Sequence, residues 1–368
     1  MKSRTKKIAA VALLVLACAL LSELVVANPI LNKGIVIGMG IDRTETEEVE
    51  VTVQIAVAGE SSAPGAPNRY AVVSGKAPTL IGAMDEIARI TPYNPAYFHC
   101  HIVLFGEKLV KEGVREVATQ LFAEDSVMDD VAVMAVQGTA KKTLERSVSV
   151  QGAASVYLQQ LNKINSSTGG HPTATLKRFV TNFETEGYTA YLPWVEAIPV
   201  PKAIGGADTG SDEQNFAFDC SKTVLFDDDG LGTVQGEKVT VALGLTGQTE
   251  GMMLPIRTAE GSMDVLVKRS LHWWHLDKSG EVTLSALYFV KVIATDLAPS
   301  PSDLKEDFVA NAVRDYAKKT IRAGYEQGQK EGKDPYSLKG KYHKKFGDKK
   351  EPPKTTLHLK ITVKTSDV

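Results

Sequence analysis

Three stretches of this chain alternate apolar and polar residues at every second position: Glu48–Ala58 (EVEVTVQIAVA), Glu281–Ala294 and Thr355–Lys364 (TTLHLKITVK). Successive side chains of a strand point to opposite faces, so each stretch has one face to bury and one to leave toward water. Sheets built this way need a second layer over their apolar face. The intervening segments supply helices for that layer. Leu80, Ala83, Met84, Ile87 and Ile90 share a face over Thr79–Ile90, with Thr79 as a cap. Helical spacing continues over Glu107–Phe122, from Thr139 toward Val148, over Gln151–Ile164, and over Thr175–Glu186 with Thr175 as a cap. Strands are expected at Ile35–Asp42, Tyr70–Ser74, Ile102–Phe105 and Val131–Val136, the first forming a hairpin with Glu48–Ala58.

The second half reads differently. Strands are expected at Thr223–Phe226, Gly232–Thr233, Val239–Leu245, Met252–Ile256 and Met263–Trp274. A long helix is expected from Ser300-Pro301 to about Lys330, with the stripe Leu304, Phe308, Ala312, Tyr316 and Ile321. The fold class is α+β, multi-domain, with mixed or antiparallel sheets flanked by helices. Pro193-Trp194 is read as the end of the first unit. Ile198–Gln214 (IPVPKAIGGADTGSDEQ) lacks periodicity and reads as a domain boundary. The expected organisation is a signal or anchor at 1–27, a domain at 28–200, a linker at 201–215 and a domain at 216–368.

The N-terminus addresses a membrane. Lys2, Arg4, Lys6 and Lys7 precede an apolar stretch from Ile8 to Ala27, whose one charge is Glu23. Its length, about 20 residues, suffices to span a bilayer. Three readings stay open: a lipoprotein acylated at Cys18 within Val15-Leu16-Ala17-Cys18, an uncleaved anchor, or a signal cleaved after Ala27. In each, the positive flank stays inside and the body lies outside the cytoplasmic membrane.

Composition narrows the function classes. With 42 Lys and Arg against 44 Asp and Glu, the chain lacks the basic balance of a general nucleic-acid binder. Three cysteines in 368 residues do not make a disulfide scaffold. The chain from Pro301 onward nevertheless holds 16 Lys and Arg against 10 Asp and Glu, concentrated in Lys330–Lys354. That segment reads as a solvated helix end and loop, or as a contact for anionic headgroups or an acidic partner.

Four motifs could carry chemistry. In a strand, His99 and His101 would share a face and could bind a metal, but no third ligand stands nearby, so a structural role is preferred. Gly34–Gly40 (GIVIGMG) is followed by a strand rather than the helix of a dinucleotide site, so its glycines are read as a bulge or close packing. Asp227-Asp228-Asp229-Gly230 is read as a hairpin turn rather than a calcium loop. Trp273-Trp274 is read as half-buried strand, or alternatively as a partner surface. No nucleophile elbow, P-loop, HExxH or CxxC pattern is present, so no enzyme, catalytic residue, cofactor or metal is expected.

The order of several segments resembles the Ger(x)C family, the C subunits of spore germinant receptors. They are Gly34–Asp42 (GIVIGMGID) with Val51–Ile55, Gly75–Ala83 (GKAPTLIGA), His99–Gly113 (HCHIVLFGEKLVKEG), Thr175–Pro193 and Thr223–Leu231 (TVLFDDDGL), with a weaker return at Gln327–Asp334 and the last strand. The resemblance implies a non-enzymatic, membrane-attached subunit on the outer face of the spore's inner membrane. It implies polytopic membrane subunits as partners and a role in the response to nutrients. The rival expectation is an extracytoplasmic small-molecule-binding protein associated with a transporter, with a ligand cleft between its domains.

Overall fold

Ile102-Val103-Leu104-Phe105 is apolar at every position, which suits a strand covered on both faces. A computed structural model describes residues 33–56, 70–146, 148, 152–168, 172–200, 215–248, 251–347 and 355–365. Its first sheet comprises β1 (Lys33–Arg43), β2 (Val49–Ala56), β3 (Tyr70–Ala77), β4 (Asn94–Ala96), β5 (Ile102–Gly106), β6 (Ala132–Val136), β7 (Tyr191–Val200), β8 (Asn215–Phe226) and β9 (Gly232–Gln235). The order is β3-β2-β1-β5-β6-β7-β8-β9, with β4 beside β1. The central strands β1, β5, β6 and β7 are parallel, and antiparallel strands extend the sheet on both sides.

Parallel neighbours need crossovers, and helices provide them. After β3 comes α1 (Leu80–Ile90); between β5 and β6 lie α2 (Glu107–Glu112) and α3 (Arg115–Phe122). Between β6 and β7 lie α4 (Ala140–Glu145), α5 (Ala154–Thr168) and α6 (Leu176–Glu184). Val103, Phe105, Val133 and Ala135 join one core with Leu80, Ile87, Leu121 and Phe179. Their strand neighbours Ile102, Leu104, Met134 and Val136 join a second core with Ala140, Leu144 and Leu158. The unbroken apolar run of β5 follows from this double coverage.

The second sheet comprises β10 (Met252–Arg257), β11 (Ser262–Leu276), β12 (Glu281–Thr295) and β13 (Thr356–Thr365), in that order. Only the β12–β13 pair is parallel. The helices of this half are α7 (Glu237–Leu243), α8 (Glu306–Lys330) and α9 (Leu338–Phe346). Leu284, Ala286, Tyr288, Ile361 and Val363 share a core with Val309, Val313, Ala317 and Ile321 of α8. Fold class and mixed sheets agree with the sequence reading.

Several elements differ from it. The expected helix Glu107–Phe122 breaks at Gly113, whose φ of 125° leaves helical space, and Val114 N–H donates to Gly230 O at 3.0 Å instead. Val239–Leu245, expected as a strand, is helical instead: Val239–Leu243 lie in α7, and Gly244-Leu245 begin the irregular turn at Gly244–Gln248. The buried residues of α7, Val239, Thr240, Ala242 and Leu243, have helical spacing, and Ala242 packs against Gly324 of α8. Tertiary contact overrides the strand propensity of its β-branched residues.

Ser300 does not open α8. Its N–H is held by Asp303 at 3.1 Å in a separate turn at Pro301–Asp303, and α8 starts at Glu306. The fully buried stripe of α8 is therefore Val309, Val313, Ala317 and Ile321, while Phe308, Ala312 and Tyr316 flank it half-buried. Pro193-Trp194 sits inside β7, not at the end of a unit. β7 pairs with β8 from Tyr191↔Leu225 to Val200↔Asn215, so the first sheet continues across the expected 201–215 boundary. Gly59–Asn68, Cys18, the Ile8–Ala27 stretch and residues 201–214 lie outside the described residues.

Candidate functional site

The two sheets are locked together where the Asp227–Gly230 turn meets the link between α8 and α9. Asp227 closes its own turn, its Oδ1 accepting from Leu231 N–H at 2.8 Å. This joins β8 to β9 as the hairpin expected from sequence. Its other oxygen, Oδ2, lies 2.9 Å from Lys333 Nζ, which also donates to Leu231 O at 3.2 Å. Lys333 is 8% exposed, so this ammonium is held where its charge needs a partner. On the other side of the turn, Arg115 Nη1 donates to Asp228 O at 2.8 Å and Arg115 lies 3.4 Å from Glu184. One four-residue turn thus receives α3 of the first layer and the α8–α9 link of the second.

Asp334 then organises the start of α9. Its Oδ1 accepts from Tyr336 N–H at 3.3 Å and its Oδ2 from Lys339 N–H at 2.9 Å. Burial pushes its carboxyl up, while those amides pull the other way. Tyr336 donates to Ile321 O at 2.7 Å and packs 5.7 Å from the Trp274 ring. Lys341 donates to Tyr336 O, sits 5.1 Å from the same indole, and is pushed down to about 8 by burial. Farther along, Thr189 N–H donates to Ser337 Oγ at 3.0 Å and Gly340 N–H to Gly187 O at 2.8 Å. His343, 4% exposed, lies 3.6 Å from Glu186. The loop after α6 is therefore clamped to α9.

This junction corrects the reading of Lys330–Lys354 as a solvated segment. Lys333, Leu338, Tyr342 and His343 are buried, and α9 was not expected at all. Asp334-Pro335 marks the turn before it, where Asp334 holds the Tyr336 and Lys339 amides, but the helix itself opens only after Ser337. Residues 348–354 lie outside the described residues.

The other candidates resolve separately. His99 ends a short turn at Tyr97–His99 and β5 begins only at Ile102, so the shared strand face of His99 and His101 does not form. Among the described residues, no group of three or more His, Cys, Asp or Glu could hold a metal ion. Between the histidines, Cys100 is buried, and burial pushes its thiol up to about 12. The Gly34–Gly40 run lies in β1 with a register shift between Val36 and Gly38. A Cβ on Gly38 would run into Ser155 of α5, so helix and strand approach closely there. Trp274 points into the junction and Trp273 points out, 55% exposed. An open groove of about 670 Å³ lies between the end of β12 and the start of α8, lined by Val290, Val292, Ser300, Leu304, Glu306 and Val309. It lies within the second half, not between the sheets. Among the described residues, no helix is long and apolar enough to cross a membrane.

Comparison with known proteins gives two matches. Residues 27–197 match the family described as spore germination protein N-terminal domain. The crystal structure of the GerBC protein superposes with a TM-score of 0.52 at 14% identity, covering 90% of this chain and 97% of that one. At that identity the likeness speaks for the fold. No curated protein sequence matches.

Proposed function

Because the chain belongs to the Ger(x)C family of spore germination proteins, carrying their N-terminal domain over residues 27–197, we propose that it is the C subunit of a nutrient germinant receptor. It acts by assembly rather than catalysis, attached to the outer face of the spore's inner membrane and bound to polytopic membrane subunits. The observation that carries this reading is the family match together with a fold shared over 90% of the chain. The basic and apolar N-terminal stretch supports attachment, by acylation of Cys18 or by an anchor. The nine-stranded sheet and the clamped second half offer exposed loops and strand edges for subunit contacts.

The test is recovery of the complex. A tagged chain expressed in its sporulating host and solubilised in mild detergent should bring down polytopic membrane proteins in fixed ratio. Recovery of the chain alone, or with a permease and an ATPase, contradicts the receptor reading.

A further inference from the structure

Among the described residues, the core with α8 lies on one face of the second sheet. Val282, Leu284, Ala286, Tyr288 and Val290 of β12 face the core with α8. Their alternates, Ser285, Leu287, Phe289 and Lys291, form the opposite face and take no part in that core. The register sets out this outer face in rows. Ser285 lies between Trp273 on β11 and Lys360 on β13, and Leu287 between Leu271 and Thr362. Phe289 lies between Arg269 and Lys364, and Leu266 between Met253 on β10 and Lys291 on β12. Met253, Trp273 and Ile293 are 43%, 55% and 45% exposed. The face thus interleaves apolar and aromatic side chains with cations carried on β11, β12 and β13. Acidic residues of this face stand at its ends: Asp264 in β11, and Glu281, which is bonded to His358.

We infer that this outer face of the second sheet lies on a membrane surface of anionic lipid, with Trp273 and its apolar neighbours in the interfacial layer and Arg269, Lys291, Lys360 and Lys364 on the headgroups. Charge complementarity selects the occupant: interleaved lysines and aromatics match anionic headgroups above acyl chains. Trp at its edge suits the interface, where an amphipathic ring is most stable. The inference rests on the membrane-attached reading proposed above.

Trp273 is its own reporter. The chain has three tryptophans, of which Trp194 is buried in β7 and Trp274 faces the junction. Full-length chain is reconstituted into vesicles of brominated phosphatidylcholine, with or without phosphatidylglycerol, the bromines being near the headgroup. The expected result is quenching in the anionic vesicles that is absent from the neutral ones. W273F and the charge-reversed variant K360E/K364E should each lose it while keeping the far-UV spectrum of the parent. No quenching in either vesicle, as an acidic protein partner for this face would give, overturns the inference. So does equal quenching in both, or quenching that survives K360E/K364E. A failure here leaves recovery of the membrane subunits untouched, and a failed recovery leaves the quenching, so the two readings fall separately.

Discussion

Phe179→Ala should lower the unfolding free energy of the chain from Asn28 onward by about 3–5 kcal/mol, the range for removing a fully buried aromatic side chain. Phe179 is 1% exposed on α6 and is the hub of an aromatic cluster. Its ring lies 6.0 Å from Phe105 of β5, 4.9 Å from Phe183 and 5.1 Å from Phe226 of β8. Three elements distant in sequence meet on this side chain, so the vacated volume is walled by well-packed neighbours and collapses poorly. A loss of this size is a large part of the 5–15 kcal/mol typical of a native domain. Phe179→Leu keeps most of the volume and should cost clearly less. Urea unfolding of the three proteins gives the comparison. A loss below about 1 kcal/mol for the alanine variant would contradict the packing described, since even modest core truncations exceed that.

Gly340→Ala is the second large effect, about 1–3 kcal/mol by overpacking. The added Cβ would run into the Tyr188 ring and come within 2.9 Å of the Gly187 carbonyl carbon. One of those atoms is backbone, so relief requires α9 to lift from the loop after α6. The Gly340 and Thr189 amides, held by Gly187 O and Ser337 Oγ, should then exchange with solvent faster. Amides of β5, in the doubly covered centre of the first sheet, should not change. Unaltered exchange at Gly340 and Thr189 would mean that the clamp between the two halves does not depend on this contact.

What was legible in the sequence was whatever a short-range pattern determines. The period-2 stretches became β2, β12 and β13, and Thr79, Thr139 and Thr175 each cap a helix through a hydrogen bond to a backbone amide. The misreadings arose where a distant segment decides. Val239–Leu243 alternates like a strand, but its place against α8 makes it a helix. Glu107–Phe122 has one helical face, yet Gly113 breaks it so that Val114 can bond to the turn after β8, more than a hundred residues away. The charge of Lys333 and Lys341 suggested solvent, because no local pattern announces Asp227 or the Trp274 ring as their partners. The family resemblance survived these errors because it rested on the order of several segments rather than on any one of them.

The most direct measurement of the central claim is germination of spores lacking this gene, followed as loss of optical density across a panel of amino acids, sugars and nucleosides. The account predicts a selective loss of response to one or a few nutrients, restored by the wild-type gene in trans. Normal germination with every nutrient, in a strain also deleted for its other germinant receptors, would contradict it.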